Sequence, residues 1–334
     1  MRPRAKLLRV LGSLLLSGAC VVPGAHAQPH APPKDTWPQR PIRIVVPFSA
    51  GGGSDMVARA FAQSLSAQLG QPIVVENKPG AATVIGTESV VRAAPDGYTL
   101  LLSSSTSFSI NPALRKRLPY DPLRDLAPIA IVARTSLTLV VGREAPWHSL
   151  HEVIAAARAE PGRIRYGTFG PGSGPHLAGE MMSRAAGIRL QAVPYRTTGQ
   201  LMVALNNNEV DLGIEVAGAL ASQVQAGTMR AIAVLGRERS RTFPEVRTLA
   251  EQGLRQATFE AWFGLAAPVR TPAAVIGRLS RAVTVAAGDV EVQATLRAQG
   301  MEPISLGVAA FRTEAEDEIA RYRVEAERAG LSLD

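Results

Sequence analysis

Three segments of the chain combine glycine with hydroxyl side chains at points where an apolar run gives way to a helical pattern. The first is Pro47-Phe48-Ser49-Ala50-Gly51-Gly52-Gly53-Ser54-Asp55. The second is Thr168-Phe169-Gly170-Pro171-Gly172-Ser173-Gly174-Pro175-His176, and the third is Tyr195-Arg196-Thr197-Thr198-Gly199. Missing side chains let a ligand approach the backbone closely. The free N–H groups and the dipole of a helix start then favour an anion. One such loop is ordinary, because any strand-to-helix turn favours Gly and an Asp or Ser cap. One loop in each of two domains describes two walls of a cleft, and ligands of α/β sheets bind beyond the carboxyl ends of the strands.

The same residues fit enzymes poorly. Gly51 and Gly53 match the first two places of a dinucleotide fingerprint, but Met56 holds the third, and no phosphate-loop lysine follows. Pro171-Gly172-Ser173-Gly174 has Pro where a nucleophile elbow needs Gly. His148 and His151 flank a helix start without a carboxylate-rich partner set, so they read as a solvated pair rather than a metal site. His176 reads as a helix-start hydrogen-bonding group, with a catalytic base as its competitor. Asp55 is either a ligand group or a first-turn residue that stabilises its helix.

Glu215 ends the apolar run Val210–Ile214. Three placements are open to it. It can point away from the cleft, it can be protonated through desolvation and the ligand's charge, or it can meet a donor on the ligand such as an amine. Arg196 could also neutralise it. The donor reading is adopted here: an acid at one end of the ligand, held by the glycine loops, and a nitrogen-bearing group at the other.

The elements that would position these residues alternate. Ile42–Val46, Ile73–Val75 and Tyr98–Leu102 read as strands, separated by helices over Ser54–Leu69 and Val84–Ala94. Ile129–Ala133 and Leu137–Val141 are two further apolar segments, and the alternation then resumes through Arg230–Leu235. Ala261–Ala267 precedes three helices, the first opened by Pro272, the second by Asp289, the last over Gly307–Arg328. The expectation is an α/β fold of two hinged domains, each a mixed, mostly parallel sheet flanked by helices. Residues 41–141 and 260–334 form the first domain and 142–259 the second, so the chain crosses twice, which suits a hinge.

Residues 28–40 are Pro-rich and read as an extended lead-in. Before them, Arg2, Arg4, Lys6 and Arg9 precede an apolar run from Val10 to Val22, and Ala25-His26-Ala27 follows. That order reads as an export signal over residues 1–27, shorter than the ~20 apolar residues of a membrane span. Cys20 raises a lipoprotein alternative, against which stands the lack of an aliphatic residue at the first place of Ser17-Gly18-Ala19. Of the formal charge of +8, four positive charges lie in residues 1–27, which hold no acid, so +4 remains. Without Lys/Arg runs and with few aromatics, the chain offers no nucleic-acid surface. Cys20 is its only cysteine, so no disulfide, thiolate metal site or cysteine nucleophile survives cleavage.

Trp37-Pro38, Pro41-Ile42-Arg43-Ile44-Val45-Val46-Pro47-Phe48-Ser49-Ala50-Gly51-Gly52-Gly53-Ser54-Asp55, Asn77-Lys78-Pro79-Gly80-Ala81 and Ala94-Pro95-Asp96-Gly97-Tyr98 occur in order. Asn111-Pro112, Leu118-Pro119-Tyr120-Asp121-Pro122, His176-Leu177-Ala178-Gly179-Glu180, Val193-Pro194-Tyr195 and Trp262-Phe263-Gly264-Leu265 follow. This series resembles the Bug family, the periplasmic receptors of tripartite tricarboxylate transporters, over essentially the whole chain after residue 27. The resemblance implies a hinged receptor whose ligands are small carboxylates, gripped by backbone amides, hydroxyls and bridging water. It places in the cleft Phe48, Ser49, Ala50, Gly51, Gly52, Ser54 and Asp55; Ser104 and Ser105; Thr168, Phe169, Gly170, Gly172 and Ser173; and Tyr195, Arg196 and Thr197; the residues themselves add His176 at the mouth of the second loop and Glu215 at the end of its strand. The chain departs from the family at Gly174-Pro175, where Ser or Thr is common, at Arg196-Thr197-Thr198, where a Lys-Gly-Gly-like stretch is usual, and at Glu215, where Asp is common. The functional expectation is a periplasmic, monomeric receptor without cofactor or metal that hands its ligand to a tripartite tricarboxylate-type permease. The alternatives are a receptor reporting to a membrane sensor, and an enzyme using His176 and Glu215 on a small acid.

Overall fold

The computed structural model describes residues 37–329, and the segment read as an export signal lies outside them. The chain opens with β1 (Ile42–Val46), α1 (Gly53–Leu69), β2 (Ile73–Asn77), α2 (Val84–Val91) and β3 (Thr99–Ser104). A π-helical turn (Thr106–Ile110) leads through α3 (Asn111–Leu114) and α4 (Pro122–Asp125) into β4 (Leu126–Gly142). Next come α5 (Leu150–Ala159), β5 (Arg165–Thr168), α6 (Gly174–Ala186), β6 (Gln191–Pro194), α7 (Thr198–Asn206), β7 (Leu212–Val216), α8 (Ala217–Gln225) and β8 (Met229–Val234). The chain finishes with β9 (Glu260–Pro268), α9 (Ala273–Ala287), α10 (Val290–Ala298), β10 (Met301–Leu306) and α11 (Val308–Ala329).

The strands lie in the order β2-β1-β3-β9-β4-β7-β5-β6, with β8 and β10 both paired to β4. The two flanks repeat one unit. β1-α1-β2-α2-β3 forms the order β2-β1-β3, and β5-α6-β6-α7-β7 forms β6-β5-β7, all by parallel pairing. The centre is antiparallel, because β4 and β9 run back between the flanks. A mostly parallel sheet is thus seen only in the flanks.

β4 is a single strand where the sequence suggests two. Its residues from Leu126 to Ser136 pair with β9, and those from Leu137 to Val141 pair with β7. The polar stretch Arg134-Thr135-Ser136 does not break it, because the Arg134 and Thr135 side chains find partners. Arg134 contacts Glu314 at 2.6 Å and Glu260 at 3.6 Å, and Thr135 Oγ1 donates to Gly300 O. β10, absent from the sequence reading, is the strand that pairs beside this stretch, Met301 opposite Thr135.

Period and burial agree along α1. Val57, Phe61, Leu65 and Leu69 are buried, and Gly70 ends the helix in the left-handed region at φ 71°. They join Ile42, Ile44, Leu100, Leu279 and Leu296 in one core. A second core gathers Leu139, Tyr166, Leu177 and Ile214. Each such apolar side chain contributes roughly 1.5–3 kcal/mol by leaving water. α11 joins the second core to a further cluster: Phe311 packs with Phe108 and Trp262 in that cluster, and Tyr322 stacks with Phe259 in the second core. Buried Glu318 sits between them, accepting hydrogen bonds from Trp262 Nε1 at 2.8 Å and Tyr322 OH at 2.9 Å.

The Phe108–Trp262–Phe311 cluster closes over Gly264, where a methyl group would lie 2.4 Å from Phe311 Cε2 and 3.0 Å from Trp262. Gly264→Ala is therefore expected to destabilise the fold by about 1–3 kcal/mol, read as a lower midpoint in urea unfolding.

Candidate functional site

The carboxyl ends of the parallel strands carry the loops that the sequence singles out. The first follows β1. Ser49, Ala50, Gly51 and Gly52 are exposed, Phe48 is half-buried, and Ser54 and Asp55 are buried. Gly51 adopts φ 82°, which glycine tolerates. Gly52 stands at the N-cap of α1 and supplies no capping side chain, so the first-turn N–H groups stay open to an external acceptor. Asp55 turns inward. Its carboxylate accepts from Gly51 N (2.8 Å), Arg59 Nε (3.0 Å) and Asn77 Nδ2 (3.0 Å). Burial pushes its pKa up, but the bonds from Arg59, Gly51 and Asn77 outweigh that and hold it below its ordinary value. Asp55 thus braces the loop through its carboxylate.

The second loop, after β5, is bonded largely to itself. Gly170 (φ 92°) and Gly172 (φ 77°) turn it. Ser173 Oγ donates to Gly170 O and accepts from His176 N as the cap of α6. Gly170 N reaches Thr168 Oγ1 at 3.2 Å. Gly172 N donates to His176 Nδ1 at 3.4 Å, and burial lowers the histidine pKa against the pull of Glu180. His176 is therefore placed as an acceptor that clips the loop at the helix start. Phe169 packs partly into the core beneath.

The third loop is tied to the second by Tyr195 N donating to Thr168 O at 2.7 Å. Thr197 caps α7, and Arg196 is exposed. At the end of β7, Glu215 is only 6% exposed. It accepts from Thr198 Oγ1 at 2.7 Å and from Val216 N at 2.6 Å. Desolvation pushes its pKa up, against those two bonds. It neither points to solvent nor pairs with Arg196. Ser104 ends β3 and Ser105 follows it, both buried, with Ser104 Oγ accepting from Thr106 N.

One strand spaces these walls. A methyl on Gly53 would sit 3.5 Å from Phe263 Cζ, and one on Gly174 would sit 3.3 Å from Phe259 Cε1. The starts of α1 and α6 thus rest on two rings four residues apart on one extended segment, about 13 Å of chain at ~3.3 Å per residue.

A fourth loop escaped the sequence reading. Gly80, Ala81, Ala82 and Thr83 have φ of 137°, 46°, 50° and 79°, so three non-glycine residues in succession are left-handed. Each such residue costs about 1–2 kcal/mol. Buried Asn111 offsets this by donating from Nδ2 to Ala82 O (2.7 Å) and Thr83 Oγ1 (3.1 Å), while Ser107 Oγ donates to Thr83 Oγ1 (2.8 Å). The motifs Asn77–Ala81 and Asn111-Pro112 were visible in the sequence, but Ala-Ala-Thr carries no signal for a left-handed turn.

Two outcomes follow. Ala82→Gly should stabilise the fold by about 0.5–1 kcal/mol, since glycine accepts the turn without strain, and Asn111→Ala should cost about 1–3 kcal/mol by leaving Ala82 O unpaired; denaturant midpoints check both. For Glu215, a raised folded pKa means that the folded state binds more protons than the unfolded state above the ordinary carboxylate range, so stability is lost as pH rises through the folded value. Glu215→Gln should therefore raise the melting temperature at pH 8, with the gain disappearing by about pH 4, below the unfolded carboxyl's range.

Residues 57–331 match the model of the tripartite tricarboxylate transporter family receptor. BugT of Bordetella pertussis is 34% identical over 329 residues, covering 98% of both chains. Among solved structures, the periplasmic binding protein BugD superposes with a TM-score of 0.80 at 32% identity, covering 89% of this chain and 99% of that one. Rpa4515 of R. palustris, solved with adipate, gives 0.81 at 31% identity with the same coverage. The periplasmic-binding-protein architecture and the motif series agree with these likenesses, and the chain belongs to the tripartite tricarboxylate transporter receptor family.

Proposed function

We propose that the protein is a periplasmic receptor that captures a small carboxylate between residues 48–55 on one side and residues 168–173 and 195–197 on the other, and passes it to a membrane permease of the tripartite tricarboxylate type. The two sides are the flanking domains, 41–141 with 260–334 and 142–259. The observation that carries this reading is the uncapped start of α1 under an exposed glycine loop. α6 and α7 fill their own first-turn positions with Ser173 and Thr197, whereas α1 leaves its N–H groups for a ligand. The adipate held by the neighbouring Rpa4515 structure supports a carboxylate as that ligand.

Binding without turnover suits the chemistry of the loops. His176 Nδ1 accepts from Gly172 N, and Glu215 accepts from Thr198 and Val216, so in this reading both groups serve as braces of the loops. Asp55 acts indirectly, by fixing Gly51 and hence the direction of the first-turn N–H groups. The export signal in residues 1–27 supports delivery to the periplasm.

Calorimetry against di- and monocarboxylates of two to six carbons tests the reading. Saturable binding of a carboxylate is expected, and Gly52→Val should weaken it at least tenfold while leaving the melting temperature within about 2 °C, because the exposed loop blocks the ligand rather than the core. Failure of every carboxylate to bind, or full affinity in Gly52→Val, would contradict it.

A further inference from the structure

The first two glycine loops are braced in the same way. Each has a glycine in the left-handed region two positions before its helix begins: Gly51 (φ 82°) before α1 and Gly172 (φ 77°) before α6. In each, that glycine N–H donates to the side chain of the third helical residue. Gly51 N donates to Asp55 Oδ2 at 2.8 Å, and Gly172 N donates to His176 Nδ1 at 3.4 Å. The position of the brace repeats, and its chemistry changes from a carboxylate to an imidazole.

The two acceptors answer differently to a proton. Burial pushes the Asp55 pKa up, but Arg59, Gly51 and Asn77 hold it below its ordinary value, so Asp55 accepts throughout the neutral and mildly acid range. An imidazole nitrogen accepts only while it carries no proton, and in the imidazolium both nitrogens donate. Burial lowers the His176 value against the pull of Glu180, and the start of a helix also disfavours a cation. His176 therefore accepts at neutral pH and ceases to accept in acid. The elements packed against α6 bring few other charges to it. Tyr166 on β5 donates to Glu180 at 2.6 Å, and Glu215 on β7 is held by Thr198 and Val216. On α11, Glu325 pairs with Arg184 and Glu318 accepts from Trp262 and Tyr322, while Arg255, on the short turn Arg255–Ala257, is exposed.

We propose that His176 is a positioning residue that makes the grip of the second wall depend on pH: its neutral ring holds Gly172, and with it the loop 170–173, in the shape that receives the ligand, and its protonation sets an N–H against the Gly172 N–H and releases that loop. The proposal rests on the receptor reading above and adds a regulation to the same site. The first wall keeps its carboxylate brace, so acid loosens one wall only. A carboxylate captured at neutral pH is held less tightly in an acid medium.

Amide and imidazole resonances of the whole protein without ligand, followed from about pH 8 to about pH 5, test the brace. In wild type the Gly172 amide should move with the His176 ring at one shared midpoint, below the ordinary histidine value of about 6.5, while the Gly51 amide stays in place. His176→Asn, whose Oδ1 takes the place of Nδ1 and does not titrate, should hold Gly172 fixed over the same range. Glu180→Gln should move the shared midpoint lower, because it removes the charge that favours the imidazolium. Calorimetry then compares wild type with His176→Asn at equal pH, so that protonation of the ligand cancels, using adipate or, where adipate does not bind, the tightest carboxylate of the two-to-six-carbon series. The two proteins should bind alike at about pH 7.5, and wild type should be weaker by about three- to tenfold at about pH 5. A Gly172 amide that stays fixed while His176 titrates, or that titrates equally in His176→Asn, overturns the inference, and so does an affinity ratio that ignores pH while Gly172 titrates; each leaves the receptor reading standing. Failure of every carboxylate to bind overturns the receptor reading, and with it the role in binding, while the amide titration still decides the brace.

Discussion

The structure depends on two strands that belong to both flanks. β4 gives its first eleven residues to pairing with β9 and its last residues to β7 and β8. β9 returns beside it, and Phe259, just before its first residue, and Phe263, within it, hold up the glycine at the start of a helix on either side. A backbone ladder is costly to break, because each buried N–H and C=O must keep a partner. The two glycine loops at the starts of α1 and α6 are therefore spaced by one hydrogen-bonded element. The ion pairs of Arg134 with Glu260 and Glu314 lie where β4 passes between its partners. α11 adds a third link by packing Phe311 and Tyr322 into different cores.

Around that frame, the polar chemistry is arranged to leave few groups free. Hydroxyls cap, carboxylates brace, and the one histidine near the loops accepts a backbone bond. A loop that has satisfied itself binds a ligand without first unfolding its own hydrogen bonds, and little ordering remains to be done on association. Of the helix starts that follow the three glycine- and hydroxyl-rich loops, that of α1 alone has no side-chain cap. The strained turn at Gly80–Thr83 belongs to the same logic: its cost is met by a buried network of Asn111, Ser107 and Thr83 rather than by the ligand.

Much of this was legible in the sequence, for identifiable reasons. The four-residue spacing of Val57, Phe61, Leu65 and Leu69 and the stop at Gly70 placed α1, and short apolar runs placed β1, β3, β5 and β7. The glycine loops were found because glycine marks close backbone approach, and they do fall at the ends of the parallel strands. What failed did so where tertiary partners decide. Arg134-Thr135-Ser136 looked like a break until Glu314, Glu260 and Gly300 supplied partners for it. β10 has a polar, proline-containing sequence and becomes a strand only against β4. Glu215 kept three placements because alternation along a strand cannot say which neighbour will offer a donor; Thr198 and the adjacent N–H supply it.

The central claim is that one carboxylate engages both walls at once. Hydrogen–deuterium exchange, with and without the tightest-binding dicarboxylate, reads it amide by amide. Protection is predicted to rise together at Gly51–Ser54 and at Gly170–Ser173, with the central strands β4 and β9 unchanged. Protection confined to one of these two loops at saturating ligand would contradict the account.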